Sequence, residues 1–176
     1  MNTLVFVDTQ YDFINPNGRL YIKDAEKILK NVLALTTLSG MNQISTSDWH
    51  EVDDPEFSEY PPHCIKYSTG SHNYTIDTAK VFLKQTYDVW DKKRGASAIY
   101  NVDFSGNVYV CGVATDICVK AFVEGLLKHK QKDPSEIFLI FDAMKGLGKE
   151  LETITDFVGR GVKTISTEEI IMKHVL

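Results

Sequence analysis

Residues 108–126 read VYVCGVATDICVKAFVEGL, and the change of period inside them decides the fold. Val108–Val113 is apolar on both faces of a strand, whereas Ile117, Ala121, Phe122, Gly125 and Leu126 recur at helical spacing. A strand apolar on both faces has to be covered on both. In a chain of alternating elements that means helices on either side of a largely parallel sheet.

The alternation extends in both directions from this stretch. Strands are predicted at Leu4–Val7, Gln43–Thr46, Tyr87–Trp90, Val108–Val113, Ile137–Phe141 and Val162–Ile165. Helical spacing joins Ala25, Ile28, Leu29, Val32 and Leu35; then Ile76, Ala79, Val81 and Phe82; then Leu151, Ile154 and Phe157; and last Ile170, Ile171 and Val175. The expectation is a three-layer α/β/α architecture around a six-stranded, mostly parallel sheet. Residues 1–176 form one domain in this reading, because no repeat, linker or low-complexity tract interrupts them.

Composition narrows the function classes. The chain has 176 residues, 43% hydrophobic and 24% charged, which excludes a disordered, collagenous or disulfide-scaffold protein. A formal charge of -5 without a basic stripe argues against nucleic acid as a partner. No stretch approaches the ~20 apolar residues of a membrane span, and the N-terminus lacks a basic leader, so no membrane partner and a cytoplasmic location are expected. Cys64, Cys111 and Cys118 are then read as reduced thiols, with Cys111 in the core.

In doubly wound sheets ligands bind at the carboxyl ends of the strands. There the sequence delivers Asp8, Asp48, the pair Lys92 and Lys93, and the turn that carries Cys118. Cys118 opens a helix, whose N-terminal field lowers a thiol pKa and whose backbone N–H groups suit an oxyanion. Asp8 at the tip of a buried strand needs a cation, and Lys93 is expected to supply it. Taken singly, Cys118 reads better as a small core residue, and Asp8 equally well as a cap or turn residue and Lys93 as a solvated charge; their convergence on one edge is what suggests nucleophile, base and cation.

One spacing is broken: about 28 residues separate the strand near Ile44 from the segment at Ile76, and loops of that length inside a compact domain are usually functional. This loop holds Asp48-x-His50, then Asp53, Asp54, Glu56 and His63. Carboxylate and imidazole together suit a borderline divalent ion, Zn²⁺, Mn²⁺ or Fe²⁺. His72, His129 and His174 read as surface residues.

VFVDTQYDFINPNG (5–18), TSDWH (46–50), EYPPHC (59–64), DKKRGASA (91–98) and CGVATDICV (111–119) resemble, in order, the signature segments of the isochorismatase-like cysteine hydrolase superfamily, and within it the nicotinamidases most. The resemblance spans residues from about 4 to 165. It implies a catalytic triad of Asp8, Lys93 and Cys118, with Lys93 fixed by its place four residues before Ser97-Ala98 and Lys92 as the alternative. It implies a cis peptide at Val113-Ala114, and the N–H groups of Ala114 and Cys118 as the oxyanion hole.

The resemblance further implies one divalent ion, Zn²⁺ first, on Asp48, His50 and His63. Glu56 is taken as the remaining ligand ahead of Asp53 and Asp54. Phe13 and Tyr60 become the aromatic walls for a flat ring. The implied reaction is hydrolysis of nicotinamide to nicotinate and ammonia through a cysteine thioester, a step of pyridine-nucleotide salvage, in a homo-oligomer. Tyr60 in place of Trp, Ser47 before D-W-H and IKYSTGS after PPHC depart from the pattern and leave relatives that cleave carbamoyl or ureido amides, or isochorismate, as the alternative. A non-catalytic binding module and a Cys111–Cys118 redox pair are the readings from other classes.

Overall fold

The computed structural model describes residues 1–175. Six strands, β1 (Thr3–Val7), β2 (Asn42–Asp48), β3 (Lys80–Lys84), β4 (Val108–Val113), β5 (Ile137–Lys145) and β6 (Lys163–Ile165), form one sheet in the order β3-β2-β1-β4-β5-β6. All five pairings are parallel. Every residue of β1 and of β4 is buried, which is the two-faced apolar pattern of covered strands.

The helices are α1 (Tyr11–Ile14), α2 (Leu29–Thr36), α3 (Lys120–His129), α4 (Glu150–Gly159) and α5 (Thr167–Val175). From β1 the chain winds one way to β2, and from β4 it winds the other way to β5. Right-handed crossovers therefore put α2 and α3 on opposite faces. The helix α2 packs with α5 against β5, and α4 lies against β6 and the turn before α3. The reversal of winding between β1 and β4 is the switch point at which such sheets hold ligands.

The third strand differs from the expected one. It is Lys80–Lys84, inside the stretch read as helical, and Tyr87–Trp90 is not a strand. Ile76 is 54% exposed and belongs to a run of turns, in which the Ile76 N–H bonds the Asn73 carbonyl and the Ala79 N–H that of Thr75. From residue 81 the period is two: Phe82 and Lys84 are buried while Leu83 faces outward. A buried lysine disguised that alternation. Val89 and Trp90 are buried without strand pairing; the Trp90 ring fills the space over Gly125, and its Nε1–H donates to the Phe122 carbonyl at 3.1 Å.

β4 lies unusually close to β1 at its carboxyl end. Gly112 has φ +115° and pairs with Val7, and a Cβ there would stand 2.0 Å from the Val7 carbonyl oxygen. Only glycine holds this approach without strain. Gly112→Ala is expected to lower stability by about 2–4 kcal/mol, read as a fall in the urea midpoint at constant m-value.

Candidate active site and metal pocket

Asp8 follows β1 and turns the chain in a left-handed conformation, φ 49°. Its Oδ1 accepts from the Thr46 hydroxyl at 2.6 Å, and its Oδ2 lies 2.7 Å from the Lys84 ammonium. Lys84 stands directly opposite Asp48 in the β2–β3 ladder and is ion-paired with it as well. Period two explains the geometry: Lys84 shares the inward face of β3 with Phe82 and has Asp48 as its cross-strand neighbour.

Lys93 does not reach this edge. It is exposed, in a turn where its N–H and that of Arg94 both donate to Asp91 Oδ1. Lys92 is exposed too. The cation expected at Asp8 is Lys84, and the sequence reading missed it because it placed the third strand seven residues too late.

Cys118 lies in the π-helical turn Thr115–Val119 that leads into α3, with its thiol beside the Asp8 carboxylate. The Val113-Ala114 peptide is cis, as the resemblance implied. The expected depression of the thiol pKa by the helix terminus does not prevail: burial, then the negative charge of Asp8, push it well above 9.0, with Lys84 opposing. Asp8 is raised as well, by burial first and by Asp48, against the pull of Lys84. Burial alone would discharge Lys84, but Asp48 and Asp8 hold its pKa well above 10.5. The resting edge is a neutral thiol, a carboxylate poised to take a proton and a fixed ammonium.

Two further residues of the D-x-Q-x-D run anchor the long loop. Gln10 exchanges two bonds with the backbone of Asp48, donating to its carbonyl at 2.9 Å and accepting from its N–H at 2.7 Å, and donates to the Ser71 carbonyl. Asp12 accepts from the N–H groups of Cys64 and Arg19 at 2.7 and 3.0 Å. A Cβ on Gly70 would fall 1.9 Å from Asp12 Oδ2, so the loop packs on this carboxylate through a bare backbone. Spacing assigned chemistry to Asp8 but showed nothing of these clamps.

Within the loop, Asp48, His50 and His63 present one ligand atom each within 4.8 Å of one another. Nε2 of His50 and of His63 lie 3.7 and 3.6 Å from Asp48 Oδ2. His50 Nδ1 faces Asp54 Oδ2 at 3.0 Å, and His63 Nδ1 faces the Pro61 carbonyl at 2.8 Å. With Nδ1 on these acceptors, each ring turns its Nε2 towards Asp48. His50 Nε2 is buried without a hydrogen-bond partner among the described residues. Burial would raise the Asp48 carboxyl, but Lys84 and the two histidines hold it well below the usual carboxylate range. Two imidazole nitrogens, one of them buried and orphaned, and an ionised carboxylate fit a divalent cation.

The other proposed ligands take different places. Asp54 is ion-paired with Arg94 and accepts the Glu56 N–H at 2.9 Å, so it orients His50 from behind. Glu56 forms with His50 and Asp54 a second group, sharing His50 with the first, whose ligand atoms lie within 4.8 Å of one another, and Asp53 is exposed. Phe13, Tyr60, Glu56, His63, Ala114 and Cys118 line one cleft that Asp48 also borders. Leu20, Ile22, Tyr87, Ile117 and Leu147 complete it. Of the remaining histidines, His72 and His129 are exposed, while His174 is half-buried with Nδ1 on the Ile170 carbonyl.

Fold and cleft define a doubly wound α/β protein with its reactive edge at the switch point. The isochorismatase domain matches residues 2–169, so the chain belongs to the isochorismatase family and is a hydrolase. Among curated proteins it is similar to the nicotinamidase of Schizosaccharomyces pombe, 24% identical with 98% of this chain and 96% of that protein covered. It is also 24% identical to the nicotinamidase of Saccharomyces cerevisiae, over 69% of this chain and 79% of that one. Among solved structures the pyrazinamidase of Pyrococcus horikoshii in complex with zinc superposes with a TM-score of 0.80 at 26% identity, covering 94% of this chain and 98% of that one.

Removing Lys84 leaves two buried carboxylates facing each other uncompensated. Lys84→Ala is expected to cost about 3–5 kcal/mol and to abolish activity, whereas Lys93→Ala stays within about 0.5 kcal/mol of the parent with activity retained. Denaturant titration and turnover of the two variants, side by side, check this.

Proposed function

We propose that the chain is an amidohydrolase that converts nicotinamide to nicotinate and ammonia through a thioester on Cys118. The observation that carries this reading is that Cys118 and the Asp48–His63 group open onto one cleft walled by flat and aliphatic side chains. A flat heteroaromatic ring fits between Phe13 and Tyr60, and an amide at its edge can then face the thiol.

In the first half-reaction Cys118 Sγ adds to the amide carbon as its proton passes to Asp8. The N–H groups of Ala114 and Cys118 are assigned to the resulting oxyanion. Asp8 returns the proton to the amide nitrogen, the C–N bond breaks, and ammonia leaves. In the second half-reaction water attacks the thioester carbonyl, Asp8 takes its proton, and Cys118 departs and is reprotonated as nicotinate is released. Lys84 stays charged throughout. It holds Asp8 in place and lets the carboxylate exist in a dry site at all.

A divalent ion held by Asp48, His50 and His63, with Zn²⁺ the first choice, would accept the ring nitrogen of the substrate and draw electron density out of the ring. Glu56, which groups with His50 and Asp54, is the candidate for the remaining ligand. Pyridine-nucleotide salvage is the setting such a reaction implies.

Purified protein should release ammonia from nicotinamide, lose most of that activity on chelation and regain it with Zn²⁺, while Cys118→Ala releases none. Full activity in Cys118→Ala would refute the thioester. Release from carbamoyl or ureido amides alone would move the assignment to that substrate class.

The pH profile follows from the shifts. Asp8 must be ionised to act, and its pKa is raised, so kcat/KM is expected to fall on the acid side at a pH above the ordinary carboxylate value of 3.8. Because the resting thiol is neutral, iodoacetamide should alkylate Cys118 at pH 7 more slowly than it does free cysteine, followed by mass spectrometry.

A further inference from the structure

The loop that joins β5 to α4, residues 146–149, has no packed core of its own, yet its Leu147 borders the cleft while 58% exposed. An ion pair between Lys145 and Glu150 closes its base, and one carboxylate binds its backbone. Asp116 Oδ1 and Oδ2 accept the Leu147 N–H at 2.9 and 3.1 Å, and Oδ2 also accepts the Lys149 N–H at 3.0 Å. The neighbouring glycines are shaped for this clamp: a Cβ on Gly146 would meet Asp116 Oδ1 at 2.8 Å, and Gly148 has φ +119°.

Asp116 itself sits in the nucleophile turn, two residues before Cys118 and next to Ile117, which lines the same cleft. The turn that presents the sulfur thus also sets the position of the wall facing it. We propose that Asp116 is a positioning residue that pins Leu147, and that Leu147 determines specificity by limiting how much bulk a ring amide can carry on its edge. This rests on the reading of the cleft as an amide-binding site. Charge-assisted bonds from one carboxylate to two backbone N–H groups are strong enough to hold a short exposed loop that packing does not hold. A wall made of one aliphatic side chain discriminates by single carbon atoms, about 10-fold or more for each.

The test compares kcat/KM for nicotinamide with that for 5-methyl- and 6-methylnicotinamide. Leu147→Ala should raise the methylated-to-parent ratio about 10-fold for at least one analogue. Asp116→Ala should move the same ratio in the same direction, and the double variant should go no further than Leu147→Ala alone, because both changes remove one wall. Asp116→Asn, which keeps one acceptor oxygen, should fall between. Hydrogen exchange across residues 146–149, followed by mass spectrometry, should accelerate in Asp116→Ala and stay near the parent rate in Leu147→Ala.

An unchanged ratio in Leu147→Ala overturns the specificity assignment. Unchanged exchange in Asp116→Ala, or additive effects in the double variant, overturns the clamp; an Asp116→Ala protein that only loses stability and kcat, at constant ratio, does the same. A parent protein that hydrolyses neither nicotinamide nor its analogues refutes the amidase reading itself, a result distinct from an active parent whose ratio does not respond.

Discussion

The Lys84 ammonium lies between the carboxylates of Asp8 and Asp48, with all three side chains buried. Isolated, each of these charges would cost several kcal/mol to take out of water. Together they are tolerable, and their sum is one negative charge in a dry pocket. That residual charge faces the Nε2 atoms of His50 and His63. It explains why the pocket suits a cation, and the two carboxylates differ within it: Lys84 and the two histidines hold Asp48 ionised, while burial and the neighbouring Asp48 charge leave Asp8 with a raised affinity for a proton.

The same constraint orders the fold around it. Lys84 can reach both partners only if β3 pairs with β2 in the register that sets it opposite Asp48, and β2 beside β1 so that Thr46 meets Asp8. A slip of one residue would turn Lys84 to the outside, where Leu83 now lies. Gln10 guards against it by bonding both backbone groups of Asp48 at the end of the strand. On the other side, the absence of a side chain at Gly112 lets β4 press on β1 and brings the Cys118 turn to the same edge.

Five aspartates around the cleft show how environment separates identical side chains into different tasks. Asp8 lies between Lys84 and the Cys118 thiol, Asp48 turns an oxygen towards the Nε2 atoms of His50 and His63, and Asp54, bound by Arg94, faces Nδ1 of His50. Asp12 and Asp116 accept backbone N–H groups and hold loops. Each difference comes from what donates to the carboxylate, and none is visible in the residue type.

Much was legible in the sequence because it depends on local order. The two-faced strands at residues 4–7 and 108–113, the strand-to-helix change at Cys118 and the placement of Asp8 and Asp48 at strand ends follow from periodicity, and the long interrupted loop marks the segment that brings His50 and His63 to Asp48. Lys84 escaped because a lysine inside a short strand reads as a polar break, and only pairing with β2 makes its burial favourable; Lys93 looked suitable because it is close in sequence to the motif and nothing local shows that it faces water. Gln10, Asp12, Arg94 and Asp116 escaped for the same reason, since a hydrogen bond between residues 30 or more apart leaves no mark in either segment. The sequence by itself determined which elements form and which chemistry their ends can carry, through the covalent periods of helix and strand. Only the tertiary structure decided which charges meet, because the free energy of a buried ion pair depends on the partner that the fold brings to it.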